Sequence, residues 1–230
     1  MEGPQDNKEV VTILVLGDPG CGKSTFLSSA IKNIQARPRA ETSHGPRRQL
    51  DLLRDSDQPF LFDIRFSKKS FTLELYDTAS PNQHWSTLKP DVVLLAFDIS
   101  NRETLDGLKK WRHDVIRYFQ RGIGERIPVM MVGLKRDLRK EDESIIYPQE
   151  SYRIAQELRC DRYAECSAVT GELMAETFED LARLAGMTTT ETGGQTQGGA
   201  LSVYVNTPHE AIAACRLYEY TKVLLIQCKE

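Results

Sequence analysis

The chain predicts an α/β fold of three layers, with helices on both faces of a mostly parallel six-stranded sheet and a C-terminal extension beyond it. Three observations carry the prediction. The runs Val10–Leu16 (VVTILVL) and Val92–Ile99 (VVLLAFDI) are almost continuously apolar, as strands covered on both faces are. Strand-like and helix-like segments alternate up to Ala185, the rhythm of parallel strands joined by helical crossovers. The first strand runs into a glycine turn, Gly17-Asp18-Pro19-Gly20-Cys21-Gly22-Lys23-Ser24, and from there into a helix-prone stretch, Thr25–Ile34.

Taken in order, Met1–Glu9 is polar and reads as a flexible N-terminus without a signal-peptide core. After the first strand and helix, residues 35–58 are rich in Arg, Pro, Asp and Ser with weak periodicity, which reads as a long loop. Phe60–Phe66 and Phe71–Tyr76 alternate in the period of strands around Ser67-Lys68-Lys69-Ser70, giving a hairpin. The second of these strands runs into Asp77. Pro81–Pro90 reads as a loop or an irregular short helix. After Val92–Ile99, Leu105, Leu108, Val115 and Phe119 recur at helical spacing, with Ser100 or Asn101 as the N-cap. Ile127–Val132 is a strand, and the charge run Leu138–Ser144 a solvated loop. Pro148–Leu158 is a helix opened by proline, Tyr163–Cys166 a short strand and Leu173–Leu184 the last clear helix. Residues 187–200 form a low-complexity linker, and 201–230 an extension too small to build its own core.

Composition narrows the function. The 230 residues suit one domain with an appendage, and a net charge of -3 gives no electrostatic reason to bind nucleic acid or acidic lipid. Five cysteines, an odd number without regular spacing, imply reduced thiols and a cytoplasmic location. No apolar run approaches the roughly 20 residues needed to cross a bilayer.

The glycine turn follows the Walker A spacing: Gly, four residues, then Gly-Lys-Ser. Its glycines let successive backbone N–H groups converge on an anion, and the helix that follows adds its positive end. Lys23 is placed to reach outer phosphates, and Ser24 to hold Mg²⁺ with its hydroxyl. Cys21 reads as a small filler rather than a nucleophile. In an open α/β sheet, ligands lie beyond the carboxyl ends of the strands. Asp77 ends one strand and can face the same Mg²⁺. Lys135 and Asp137 follow another; a carboxylate there can accept both the ring N–H and the exocyclic amine of guanine, while the lysine stem covers base and ribose. Ser167 and Ala168 follow a third and offer backbone N–H groups to the guanine carbonyl.

With these four stations in order, residues 10–186 resemble a Ras-superfamily small GTPase. The Rho branch is the nearer, through Gly17-Asp18, Leu75-Tyr76-Asp77-Thr78-Ala79, Lys109-Lys110-Trp111 and Tyr163-Ala164-Glu165-Cys166-Ser167-Ala168. The helical insert typical of Rho proteins is missing after Asp137. The resemblance implies the small-GTPase, P-loop NTPase fold, with GTP/GDP and Mg²⁺ as cofactors. It implies contacts to the nucleotide from Gly17, Asp18, Pro19, Gly20, Cys21, Gly22, Lys23, Ser24, Thr25, Lys135, Asp137, Ser167 and Ala168. Ser24 and Asp77 would hold the metal, and Lys23 would act in catalysis. Effectors and regulators would read residues 35–58 and 77–90, the two switch-like loops.

The chain also departs from the family. Ser80 and Pro81 stand where the family has Gly-Gln, so the amide that orients the attacking water is replaced by a proline. Gln83 and His84 lie nearby but are not expected to take over that role. Pro19 replaces a usual glycine, Leu134 a usual Asn or Thr, and no aromatic follows the first helix. Counting from Ser24 points to Thr42 as the first switch's Mg²⁺ ligand, and counting back from the hairpin points to Ser56, so neither is assigned. Cys228 is misplaced for prenylation, so membrane attachment is not expected. The expected function is a guanine-nucleotide switch with slow GTP hydrolysis. The alternative is a pseudo-GTPase adaptor that keeps nucleotide as a structural ligand.

Overall fold

The computed structural model describes residues 9–35, 57–66, 69–78, 85–120, 126–140, 145–188 and 202–203. Among the described residues, seven strands form one sheet: β1 (Glu9–Leu16), β2 (Phe60–Phe66), β3 (Lys69–Asp77), β4 (Val92–Asp98), β5 (Val129–Leu134), β6 (Arg162–Glu165) and β7 (Ser202–Val203). Their order across the sheet is β2-β3-β1-β4-β5-β6-β7. The β2–β3 hairpin is antiparallel; β1–β3, β1–β4, β4–β5, β5–β6 and β6–β7 are parallel. All six expected strands are present. The seventh comes from the C-terminal extension, where Ser202 pairs with Arg162 and Val203 with Tyr163 at the sheet edge. The rest of that extension, the body of the long loop and residues 189–200 of the expected linker lie outside the described residues, while 187–188 belong to the last helix.

Among the described residues, four helices cover the sheet: α1 (Lys23–Gln35), α2 (Arg102–Phe119), α3 (Pro148–Glu157) and α4 (Met174–Thr188). Successive strand residues point to opposite faces, and both faces are apolar. Val11, Ile13 and Val15 of β1 pack with Phe26 and Leu27 of α1 and with Phe178 and Leu181 of α4. Leu14 and Leu16 pack the other way, with Leu105 and Leu108 of α2 and Ile154 and Ala155 of α3. Every residue of β4, the middle strand, is buried. That is the physical reason its sequence shows no alternation.

Local signals set the helix ends. Of the two N-cap candidates for α2 the structure selects Asn101, whose side-chain oxygen accepts from the Glu103 N–H at 3.0 Å. Pro148 opens α3 as expected. Helix α4 runs to Thr188 rather than stopping at Leu184, because Ala185 is fully buried and prolongs the apolar stripe. Strand β5 runs to Leu134, two residues beyond the expected end. Space is tight at its penultimate position: a Cβ on Gly133 would lie 3.0 Å from Ile99 Cδ1 and Phe97 Cζ. Gly133 thus marks a close approach between the strand and the side chains over it. In the segment expected as loop or irregular helix, Trp85–Thr87 forms one 3-10 turn.

Candidate functional site

The carboxyl ends of β1, β3, β4 and β5 and the residues after β6 meet on one edge of the sheet. The glycine turn joins β1 to α1 there, with the Cys21 N–H on the Asp18 carbonyl at 3.3 Å and the Phe26 N–H on the Gly22 carbonyl at 2.9 Å. Pro19 and Gly20 form the exposed tip, while Gly17 is buried and Thr25 sits half-buried in the first turn of α1. Cys21 is fully buried, and burial pushes its thiol pKa up, so it stays protonated and inert, as a filler does.

Lys23 folds back over the turn. Its Nζ donates to the Gly17 carbonyl at 2.9 Å and the Asp18 carbonyl at 3.2 Å, and lies 3.9 Å from Asp77 Oδ1. The lysine is 8% exposed and Asp77 2% exposed, so this charge pair stands largely out of water. Ser24 Oγ donates to Asp77 Oδ2 at 3.3 Å. A hydroxyl and a carboxylate, both hard oxygen donors, therefore stand side by side beneath the turn. Mg²⁺ commonly uses such a pair, completing its shell with phosphate and water oxygens rather than a protein cage. The residues fit that ion. Two further groups fix Asp77: its backbone N–H donates to Gln58 Oε1 at 2.8 Å, and Thr78 Oγ1 donates to its Oδ1 at 3.1 Å.

The third and fourth stations also meet. Ser167 Oγ donates to Asp137 Oδ1 at 2.5 Å and accepts from the Thr170 N–H at 3.1 Å. The Arg136 N–H donates to the Cys166 carbonyl at 3.1 Å, tying the loop after β5 to the loop after β6. Ala168 packs part-buried against the core. Lys135 takes a left-handed backbone conformation (φ 60°), and its Nζ donates to the Gly20 carbonyl of the glycine turn at 2.8 Å. All predicted site residues thus lie on this edge. Ser80, Pro81, Gln83, His84, Thr42 and Ser56 lie outside the described residues.

Sequence reasoning missed three groups at the site. Asp98, at the end of β4, accepts from Lys135 Nζ at 2.7 Å. Gln58 holds Asp77. Trp111 of α2 donates from Nε1 to Asp18 Oδ1 at 2.7 Å. Trp111 in turn meets Trp85 edge-on, ring centroids 6.0 Å apart, and Trp85 also packs edge-on against Tyr118 and Phe119. The rule that sites lie at strand ends pointed to Asp98; the other two contacts had no local signal.

A Ras family model matches residues 12–186. Among similar proteins, "Ras-like GTP-binding protein RHO1" of Entamoeba histolytica is 29% identical over 182 residues, 76% of this chain and 76% of its own length. "GTP-binding protein RHO2" of Saccharomyces cerevisiae is 26% identical, over 73% of this chain and 84% of its own length. Human "Rho-related GTP-binding protein RhoF" is 26% identical, over 79% of this chain and 85% of its own length.

Proposed function

The chain belongs to the Ras family, with Rho-related proteins among its relatives, and on that footing we propose that it is a guanine-nucleotide switch that binds GTP and GDP with Mg²⁺ and hydrolyses GTP slowly. One observation carries the proposal: Asp137, locked by Ser167, and Lys135, reaching the Gly20 carbonyl, stand on the same sheet edge as Lys23, Ser24 and Asp77. A phosphate-binding turn alone would serve ATP equally well. A fixed carboxylate beside it, presented to a ring that offers two adjacent donors, favours guanine.

Each group has a task. The backbone N–H groups of the turn and the Lys23 ammonium would take the phosphates, exchanging the Gly17 and Asp18 carbonyls for stronger phosphate partners. Ser24 and Asp77 would hold Mg²⁺, which neutralises phosphate charge and orients the terminal group. Pro81 has neither N–H nor side-chain amide, so it cannot orient water as the family's glutamine does. Each 1.4 kcal/mol added to the barrier slows turnover about tenfold. Slow turnover would keep the switch loaded with GTP, read by effectors and regulators at residues 35–58 and 77–90. The buried free thiols Cys21, Cys160 and Cys166 support a reducing, cytoplasmic setting, which cell fractionation tests.

Chromatography of nucleotide released from the purified protein tests binding, and single-turnover hydrolysis tests catalysis. GTP or GDP in the released fraction, with slow but measurable phosphate release, is the expected result. Retained GTP with no phosphate release selects the adaptor reading, which Pro81 favours. Adenine nucleotide, or none at all, overturns both.

A further inference from the structure

The acid at the end of β4 is held from several sides at the edge of the nucleotide site. Asp98 Oδ2 accepts from Lys135 Nζ at 2.7 Å, while its Oδ1 accepts from Ser100 Oγ at 2.7 Å and the Ser100 N–H at 2.8 Å. Its own N–H donates to Thr104 Oγ1 at 2.9 Å. The carboxylate is 8% exposed, against 32% for the lysine it holds. A charge this far out of water is retained only with such partners. Lys135 bridges outward from it: the ammonium also donates to the Gly20 carbonyl at 2.8 Å, and a Cβ on Gly22 would lie 3.3 Å from Lys135 Cε. The lysine stem therefore lies along the glycine turn. The preceding residue, Leu134, is 2% exposed and apolar, so it offers this loop no polar side chain.

We propose that Asp98 is a positioning residue of the nucleotide site: it clamps Lys135 across the glycine turn, so that lysine and turn form one preset wall, replacing the polar contact that Leu134 cannot make. The inference rests on the guanine-nucleotide reading of the site. A lysine stem has many rotamers, and one carbonyl partner leaves most of them open. A charge-assisted bond to a fixed, buried carboxylate removes that freedom before ligand arrives. Without Asp98 the lysine would be ordered at the moment of binding, and bound nucleotide would leave faster.

The test is release of fluorescent N-methylanthraniloyl-GDP from the full chain, for wild type, Asp98→Asn, Lys135→Met and the double variant. Loss of one charge-assisted contact predicts release about tenfold faster for D98N. In the K135M background, D98N should add less than about twofold, because a residue acting through Lys135 has nothing left to act on. Thermal unfolding without nucleotide checks the fold, and Asp98→Ser serves the same cycle if D98N fails it. Release from D98N at the wild-type rate, or more slowly, overturns the inference, as does an undiminished effect in K135M. Wild type that captures no labelled GDP overturns the nucleotide reading and this inference with it.

Discussion

Substituting Gly107 tests how the glycine turn is braced from α2. Replacing glycine by alanine inside an exposed helix normally stabilises, by about 1 kcal/mol. Here a Cβ at position 107 would lie 2.4 Å from Asp18 Oδ2 and 3.1 Å from its Cγ. The Asp18 side chain must move, and moving it breaks the 2.7 Å bond from Trp111 Nε1 to Oδ1. A hydrogen bond to a charged group contributes about 1.5–3 kcal/mol, and partial exposure places this one near the lower end. The loss exceeds the propensity gain, so Gly107→Ala should destabilise by roughly 0.5–1 kcal/mol, a fall in melting temperature of about 1–4 °C. Calorimetric or circular-dichroism melts of wild type, G107A, Trp111→Phe and the double variant measure it. In the W111F background, where the N–H is already gone, G107A should recover its stabilising sign. A G107A protein that melts higher than wild type refutes the reasoning.

Three further outcomes follow from buried groups. Burial pushes the Asp180 carboxyl up to about 6, so the folded chain keeps that proton while the unfolded chain loses it, and stability falls as pH rises from about 4 to 6. Asp180→Asn should therefore stabilise by about 1 kcal/mol at pH 7.5 and change nothing at pH 4, as urea titrations at both values will show. Burial pushes the Cys160 and Cys166 thiols up to about 12, so iodoacetamide at pH 8 should leave both unmodified in native protein and alkylate them once it is unfolded, read by peptide mass spectrometry. Arg139 holds buried Glu165 through two bonds of 2.6 and 2.7 Å, and Tyr163 donates to the same carboxylate; Arg139→Ala strands that charge and should cost about 3 kcal/mol in urea unfolding.

What the sequence revealed was local chemistry and the places where strands end. The apolar run of β4, the alternation of β2 and the Gly-Lys-Ser spacing are properties of short windows, and short windows predicted them. The stations at Lys23, Asp77, Asp137 and Ser167 could be assembled because parallel sheets present ligands at one known edge. Contacts that depend on sheet order were hidden. β4 lies between β1 and β5, and that order brings both Asp98 and the Gly20 carbonyl to Lys135. The bond from Trp111 to Asp18 joins residues 93 apart, through the docking of α2 on the sheet, and no periodicity encodes it. The last two residues of β5 were hidden for a related reason: Gly133 and Leu134 stay in the strand by pairing with Phe97 and Asp98 of β4. The seventh strand is two residues long, too short for any period to register.

Titration calorimetry with GDP, ADP and the Asp137→Ala variant bears most directly on whether a fixed carboxylate selects guanine beside a phosphate-binding turn. Tight binding of GDP, binding of ADP at least about a hundredfold weaker, and a comparable loss for Asp137→Ala with GDP are predicted, since two charge-assisted hydrogen bonds are removed in each case. Equal affinity for the two nucleotides, or an Asp137→Ala protein that binds GDP as wild type does, would contradict the account.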